Sequence, residues 1–315
     1  MPAITASAPG KIILFGEHSV VYGRPAIAVP VHKLQAKAIV QAEPRGQTGC
    51  IRIQAPAIGL DAFLADVPQK DPLANAVRGT LMALGVERPP ACTIRISSNI
   101  PVAAGLGSGA AVSVAVIRAL SAFLGHPFTD DQVCSLTYEV EKIHHGTPSG
   151  IDNTVIAYAR PVYFVRDQPI EIFHIARPFT IVIGDTGIPS PTSLAVGDLR
   201  RRWHTDPDAY EPKFDAIGRI AKVARQIIES GAPDDLGPLM DENHALLQEI
   251  GTSSPELDRL VMAARNAGAL GAKLSGGGWG GNMIALVTHE SAEGVAYGLQ
   301  AAGAVRTTMT DVKSK

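Results

Sequence analysis

A strand-like run, TIRIS (93–97), leads through NIPVAAGLGSGAA (99–111) into a long apolar run of helical character, AVSVAVIRALSAFLG (111–125). Gly105, Gly107 and Gly109 alternate with other residues where strand turns into helix. Glycine permits φ > 0 and close approach of the backbone to a ligand, and the N–H groups of a helix's first turn lack internal partners and attract anions. The obvious guest is a phosphate. A tight strand-to-helix connection accounts for such a motif, taken alone, about as well.

At 315 residues the chain exceeds the size at which one hydrophobic core keeps growing. Two domains are expected. Apolar residues make up 46% and charged residues 18%, enough for a sizeable core, and the net charge of -2 shows no basic footprint for nucleic acid. Cys50, Cys92 and Cys134 are far apart and offer neither a disulfide framework nor a metal knuckle. The N-terminus has no charged start followed by a long apolar core, and no stretch reaches the roughly 20 apolar residues of a membrane helix. These features lead us to expect a soluble cytoplasmic protein with no nucleic-acid or membrane partner.

Along the chain, KIILFGE, AIAVPVHKLQAKAIVQA and CIRIQAP read as strands suited to antiparallel pairing. DPLANAVRGTLMALG has helical spacing, with Asp71 and Pro72 as a start and Gly85 as a stop. A further helix over TDDQVCSLTYEVEKIHH is capped by Thr129 or Asp130 and ends at GTPSGIDN, a turn-forming run. Composition shifts near residues 165–185. Beyond it the chain reads as mostly helical, with FTIVIGDTG as a strand at one end and the strand, glycine loop and strand of GAKLSGGGWGGNMIALV at the other.

Four places carry chemistry. Lys11, Glu17 and His18 bracket an apolar strand in PGKIILFGEHSVVYG, Ser108 sits in the first glycine loop, EKIHHGTPSGIDN holds Glu141 and Asp152, and SGGGWGGN (275–282) is a second glycine cluster. Each residue singly has a structural explanation: a solvated lysine, a packed histidine, a capping aspartate. Together they supply what phosphoryl transfer needs, namely backbone N–H groups for phosphates, a carboxylate and a hydroxyl for Mg²⁺, and an acid-base pair at the acceptor oxygen. The GxxxxGK[ST] loop is absent, since Ile12 follows Gly10 and Lys11, and HRD and DFG are absent too. A dinucleotide-binding oxidoreductase is the competing class, because GLGSGA after a strand imitates part of its fingerprint. The compressed glycine spacing and the lack of a second strand ending in an acid speak against it.

Taken together, APGKIILFGEHSVVYGRPAIAVP, PVAAGLGSGAA, EKIHHGTPSGIDN and KLSGGGWGGNMIAL resemble, in order and over residues 6 to 290, the motifs of the small-molecule kinases named after galactokinase, homoserine kinase, mevalonate kinase and phosphomevalonate kinase. The first motif resembles that of the mevalonate kinase branch. The resemblance implies an α+β, two-domain fold: an ATP-binding domain over residues 1–175, like domain 2 of ribosomal protein S5 with a left-handed βαβ, and a ferredoxin-like domain over 176–315. It implies phosphorylation of the C5 hydroxyl of (R)-mevalonate with ATP as cosubstrate and Mg²⁺ as cofactor. Phosphomevalonate or the mevalonate 3-hydroxyl are the alternatives within the superfamily, and the resemblance leaves room for a homodimer. By position it implies that Asp152 is the base, that Lys11 steadies the alkoxide and the transferred charge, and that Glu141 and Ser108 ligate the metal. Gly105, Leu106, Gly107, Ser108 and Gly109 would hold the nucleotide, and Glu17, His18, Thr192, Gly276 and Gly277 the acceptor. The chain departs from the pattern at Gly109, where a second serine is usual, and at Trp279 and Asn282, where glycine and cysteine are usual.

Overall fold

Residues 33–40 alternate, with Leu34, Ala36, Ala38 and Val40 buried and Lys33, Gln35 and Lys37 exposed. A strand with one covered face requires this pattern. The computed structural model describes residues 3–101, 104–145, 148–190 and 192–314, and in it this stretch is part of a long strand. The chain divides into two compact units, each assembled from separate stretches. Met1–Gly10, His32–Pro101 and Gly107–Ala159 form the first, and Lys11–Val31, Val102–Leu106 and Arg160–Lys315 form the second.

The first unit holds the start of β1 (Ile4–Phe15), the end of β2 (Ala26–Ala42), β3 (Ile51–Ala55), β4 (Leu60–Phe63), α1 (Pro72–Ala83), β5 (Cys92–Ser98), α2 (Ser108–Phe123), α3 (Asp130–His145) and α4 (Ile151–Tyr158). β2 and β5 pair antiparallel with Val40 opposite Ile94, and β3 pairs antiparallel with β4, a strand that the sequence reading did not single out. β3 and β5 are instead parallel, with Ile53 opposite Ile94. Parallel neighbours need a crossover, supplied here by β4 and α1.

α1 starts where its sequence says it should: the Asp71 carboxylate accepts from the Ala74 N–H at 2.9 Å, with Pro72 at the first helical position. Such a cap contributes about 1 kcal/mol. Of the two candidate caps for α3, Thr129 serves. Its Oγ1 accepts from the Gln132 N–H at 3.3 Å and its own N–H donates to Gln132 Oε1 at 2.9 Å, a reciprocal capping box. α2 buries Val114, Ala115, Val116 and Ile117 in succession, as a helix that is apolar all round must. One expectation changes. Within GTPSGIDN, Gly146 and Thr147 lie outside the described residues, and the run does not continue as a turn: Gly150 at φ 90° opens α4, so Asp152 stands in the first turn of a helix. Ile151, Val155 and Ile156 recur at helical spacing and are buried, which holds that turn in place.

The second unit takes up β1 and β2 at their other ends, where Ile27 in β2 lies opposite Tyr163 in β6 (Val162–Phe164) and Val162 lies opposite Ile172 in β7 (Glu171–Ile172). β8 (Phe179–Asp185), α5 (Thr192–Thr205), α6 (Pro207–Ser230), α7 (Leu236–Glu249), α8 (Pro255–Asn266), β9 (Gly271–Ser275), β10 (Asn282–Val287), α9 (Ala292–Ala301) and β11 (Arg306–Val312) follow. The strands form an antiparallel sheet in the order β11-β8-β10-β9, with Ile284 opposite both Ile183 and Lys273. Counting α5 to α8 as one helical layer, the order along the chain is β-α-β-β-α-β, the ferredoxin-like pattern. Composition gives this region a helical look, yet its core is a sheet. Val182, Leu274, Met283 and Ala285 of the strands pack with Phe214, Ile217, Leu247 and Leu260 of the helices.

The stretch 11–31 joins this unit through specific contacts. The Tyr22 ring stacks on Phe214 with centroids 4.1 Å apart, Arg24 Nε donates to Asp215 at 3.0 Å, and the absence of a side chain at Gly218 admits Arg24. Among the described residues no helix is long and apolar enough to cross a membrane.

Candidate active site

In the first unit, the glycine turn delivers the N-terminus of α2. Gly107 caps it at φ 73°, and Ser108 and Gly109 form its first turn, half-buried and exposed respectively. Their N–H groups belong to the set without intrahelical partners, and the helix dipole adds a positive end. Glu141 lies on α3 and is 7% exposed. A Cβ on Gly109 would stand 3.7 Å from its Oε1, so residue 109 and this carboxylate face one another. A carboxylate and a serine hydroxyl are oxygen donors of the kind that suits Mg²⁺, which keeps several waters and binds through few protein groups. Among the described residues no group of three or more His, Cys, Asp or Glu side chains is arranged so that it could hold a metal ion. Asp152 is partly buried on α4.

In the second unit, Gly105 adopts φ 77° and the Leu106 carbonyl accepts from the Lys11 N–H at 3.0 Å. Lys11 is 5% exposed. Glu17 is fully buried and paired with Lys273, whose Nζ also donates to the Leu274 carbonyl at 2.6 Å. Burial raises the Glu17 carboxyl and lowers the Lys273 ammonium from their ordinary values, and each partner pulls the other back toward its charged form. Glu17 Oε2 has no hydrogen-bond partner among the described residues.

His18 sits at φ 61° with Nε2 3.1 Å from the Gly277 carbonyl. A carbonyl only accepts, so Nε2 carries the proton and Nδ1 is an acceptor, buried and without a partner among the described residues. Burial pushes its pKa down to about 4, which keeps the ring neutral. Gly277 is required by Thr192 at the start of α5: a Cβ there would lie 2.5 Å from Thr192 Oγ1.

The glycine cluster 276–281 is held from several sides. Gly278 has φ 73°, and a Cβ on it would fall 1.8 Å from the Thr252 carbonyl. The Trp279 indole N–H donates to the Gly251 carbonyl at 3.0 Å, and buried Asn282 donates to the Ala104 carbonyl at the start of the first glycine loop. Both departures from the usual pattern thus have structural work: Trp279 anchors its loop to Gly251, and Asn282 ties it to residue 104. Gly276 lies beside this joint, a Cβ on it being 3.9 Å from the Gly105 carbonyl.

Sequence reasoning missed two features. Lys273 escaped because a lysine inside an apolar strand reads as an outward position, although all of β9 is buried. The second is a cavity of about 290 Å³ lined by Tyr22, Arg24, Arg166, Arg200, Trp203 and Glu211, which draws on three stretches of the chain. Arg24 is paired there with Glu211, and the Tyr22 hydroxyl is buried without a partner among the described residues.

Residues 73–160 match the GHMP kinases N terminal domain and residues 223–305 the GHMP kinases C terminal domain. The mevalonate kinase of Thermococcus sibiricus is 38% identical over 318 residues, covering 95% of this chain and 93% of that protein. That of Pyrococcus horikoshii is 38% identical over 320 residues, covering 96% and 93%. Among solved structures, L. major mevalonate kinase in complex with R-mevalonate superposes with a TM-score of 0.86 at 29% identity, over 99% of this chain and 96% of that one. The Methanococcus jannaschii mevalonate kinase gives a TM-score of 0.85 at 25% identity, over 100% and 99%. With both family domains present in order and such relatives matched over nearly their whole length, the chain belongs to the GHMP kinases and, within them, to the mevalonate kinases.

Proposed function

We propose that the protein transfers the γ-phosphoryl group of ATP to the C5 hydroxyl of (R)-mevalonate, giving 5-phosphomevalonate for isoprenoid synthesis. The observation that carries this reading is the pair of buried acceptors Glu17 Oε2 and His18 Nδ1, each without a hydrogen-bond partner among the described residues, in a chain of this family. A buried acceptor left unsatisfied costs about 1–3 kcal/mol, and a substrate rich in hydroxyls removes that cost. The substrate's carboxylate has a chemical counterpart in the cavity bearing Arg24, Arg166 and Arg200. Galactose lacks such a carboxylate, and phosphomevalonate has no free C5 hydroxyl.

Phosphoryl transfer passes through a loose transition state, so positioning and charge stabilisation supply most of the catalysis. In this reading Asp152 takes the proton of the C5 hydroxyl, and Lys11 favours the resulting alkoxide and steadies the transferred charge. The N–H groups of Gly105, Leu106, Gly107, Ser108 and Gly109 bind the ATP phosphates. Thr192, Gly276 and Gly277 shape the acceptor site with Glu17 and His18. Glu141 and Ser108 would hold Mg²⁺, which when bound neutralises phosphate charge. A coupled assay of ADP release against mevalonate, phosphomevalonate, homoserine and galactose tests the reading. Mevalonate is expected to give the highest kcat/KM, and a higher value for any other acceptor overturns the assignment.

A further inference from the structure

α3 carries Glu141 and α4 carries Asp152, and a chain of buried side chains fastens one helix to the other. Asn153 Nδ2 donates to the Cys134 carbonyl at 3.3 Å and to its Sγ at 3.2 Å. That sulfur lies 3.7 Å from Thr154 Oγ1, and the Thr154 hydroxyl donates to the Gly150 carbonyl at 2.6 Å. A hydroxyl has one proton, so Thr154, donating to Gly150, can only accept from the thiol. Burial raises the thiol above its ordinary pKa, which keeps that proton in place. The direction of every link is then fixed: Asn153 amide to Cys134 sulfur, Cys134 S–H to Thr154 oxygen, Thr154 O–H to Gly150 carbonyl.

The chain is shielded from water, with Cys134 7%, Asn153 5% and Thr154 1% exposed. Its ends bracket Asp152 closely, since Gly150 is the residue that opens α4 and Asn153 follows Asp152 directly. On α3, Cys134 and Glu141 lie about two turns apart, hence on the same side of the helix. A buried polar network with every member satisfied rigidifies the elements it joins and specifies one arrangement of them.

We propose that Cys134, Asn153 and Thr154 are positioning residues for Asp152, fixing the start and the rotation of α4 against α3 so that the carboxylate is presented in one orientation. The inference rests on the reading of Asp152 as the base. It goes beyond that reading by giving three residues that never touch the substrate a measurable share in turnover.

The test compares Thr154→Val, Cys134→Ala and Cys134→Ser, each alone and in an Asp152→Asn background, with kcat, the KM for ATP and Tm measured together. Thr154→Val and Cys134→Ala are expected to lower kcat about tenfold to hundredfold, the scale on which a misplaced group loses rate, with the KM for ATP held within about twofold. Cys134→Ser keeps one donor and one acceptor and is expected to recover most of the rate. In the Asp152→Asn background the same substitutions should cost little more, because residues acting through one group are not additive. If Thr154→Val does not fold, Cys134→Ala and its serine counterpart carry the test. The proposal is overturned if Cys134→Ala lowers Tm while kcat stays at the wild-type value, if serine recovers no more than alanine, or if the loss is equally large without Asp152. A wild-type kcat for Asp152→Asn alone sinks the base assignment itself, a separate outcome read from that single variant.

Discussion

A side chain at residue 109 would look directly at Glu141: the Cβ of any residue replacing Gly109 stands 3.7 Å from the carboxylate's Oε1. A serine there would bring its hydroxyl beside the proposed metal ligand, and glycine leaves that place open to water. Mg²⁺ retains waters readily. Glu141→Gln is therefore expected to raise the Mg²⁺ concentration needed for half-maximal rate and to lower kcat far more than Ser108→Ala does. Gly109→Ser should be tolerated, as Gly109 has no left-handed φ to strain. Titrating Mg²⁺ against rate in the three variants checks this, and a larger loss from Ser108→Ala would move metal binding to the serine.

Asp152→Asn keeps the shape of the first turn of α4 and removes the base. General-base catalysis contributes about 10² to 10⁴-fold, so kcat should fall by that factor or more while ATP affinity changes little. Single-turnover rates and nucleotide titration separate the two quantities. Near-wild-type turnover would return Asp152 to a helix-start residue.

Lys273 and Glu17 form an ion pair with both side chains fully buried. Removing one partner leaves an uncompensated buried charge, which costs about 3–5 kcal/mol. Lys273→Met is thus expected to destabilise the fold strongly, and the double variant Glu17→Gln with Lys273→Met to recover a large part of the loss. Denaturant unfolding of the three variants measures it. A double variant no more stable than Lys273→Met would show that the pair is not coupled.

His18 is held at a pKa of about 4, below its ordinary 6.5, because burial disfavours the charged ring. The unfolded chain therefore binds more protons than the folded one between these two values. Stability falls as pH drops through that window, by about 3 kcal/mol for a shift of this size. Above about pH 6.5 the slope should vanish. His244, also lowered to about 4 by burial, adds a contribution of the same sign. Thermal unfolding from pH 4.5 to 7.5 should show the slope in the wild type and a smaller one in His18→Gln. An unchanged slope in that variant would mean that the folded ring takes up its proton at the same pH as the unfolded one.

The sequence by itself determined what local rules govern. Asp71 and Pro72 fixed the start of α1, Thr129 or Asp130 marked that of α3, where the capping box with Gln132 then settled on Thr129, and partial alternation marked residues 26–42 as a strand. The glycines of 105–109 and 276–281 announced backbone that must bend sharply or approach closely: Gly105, Gly107, Gly276, Gly278 and Gly281 have left-handed φ and Gly277 and Gly278 have no room for a Cβ, whereas Gly109 has an ordinary φ and space beside it. Each of these signals is carried by neighbours in the chain, so no distant partner is needed to read it. The tertiary structure alone decided the rest. Residues 11–31 join the second unit because Tyr22 finds Phe214 and Arg24 finds Asp215, partners nearly two hundred residues away that no periodicity reveals. Lys273 is tolerated inside a buried strand only because Glu17 meets it there. β3 lies parallel to β5 because β4 and α1 carry the chain back across, and Asp152 stands on a helix that the buried Ile151, Val155 and Ile156 and the hydrogen bonds among Cys134, Asn153 and Thr154 hold in place. Burial of charge and hydrogen-bond direction depend on what surrounds a residue in space, and that environment exists only once the chain has folded.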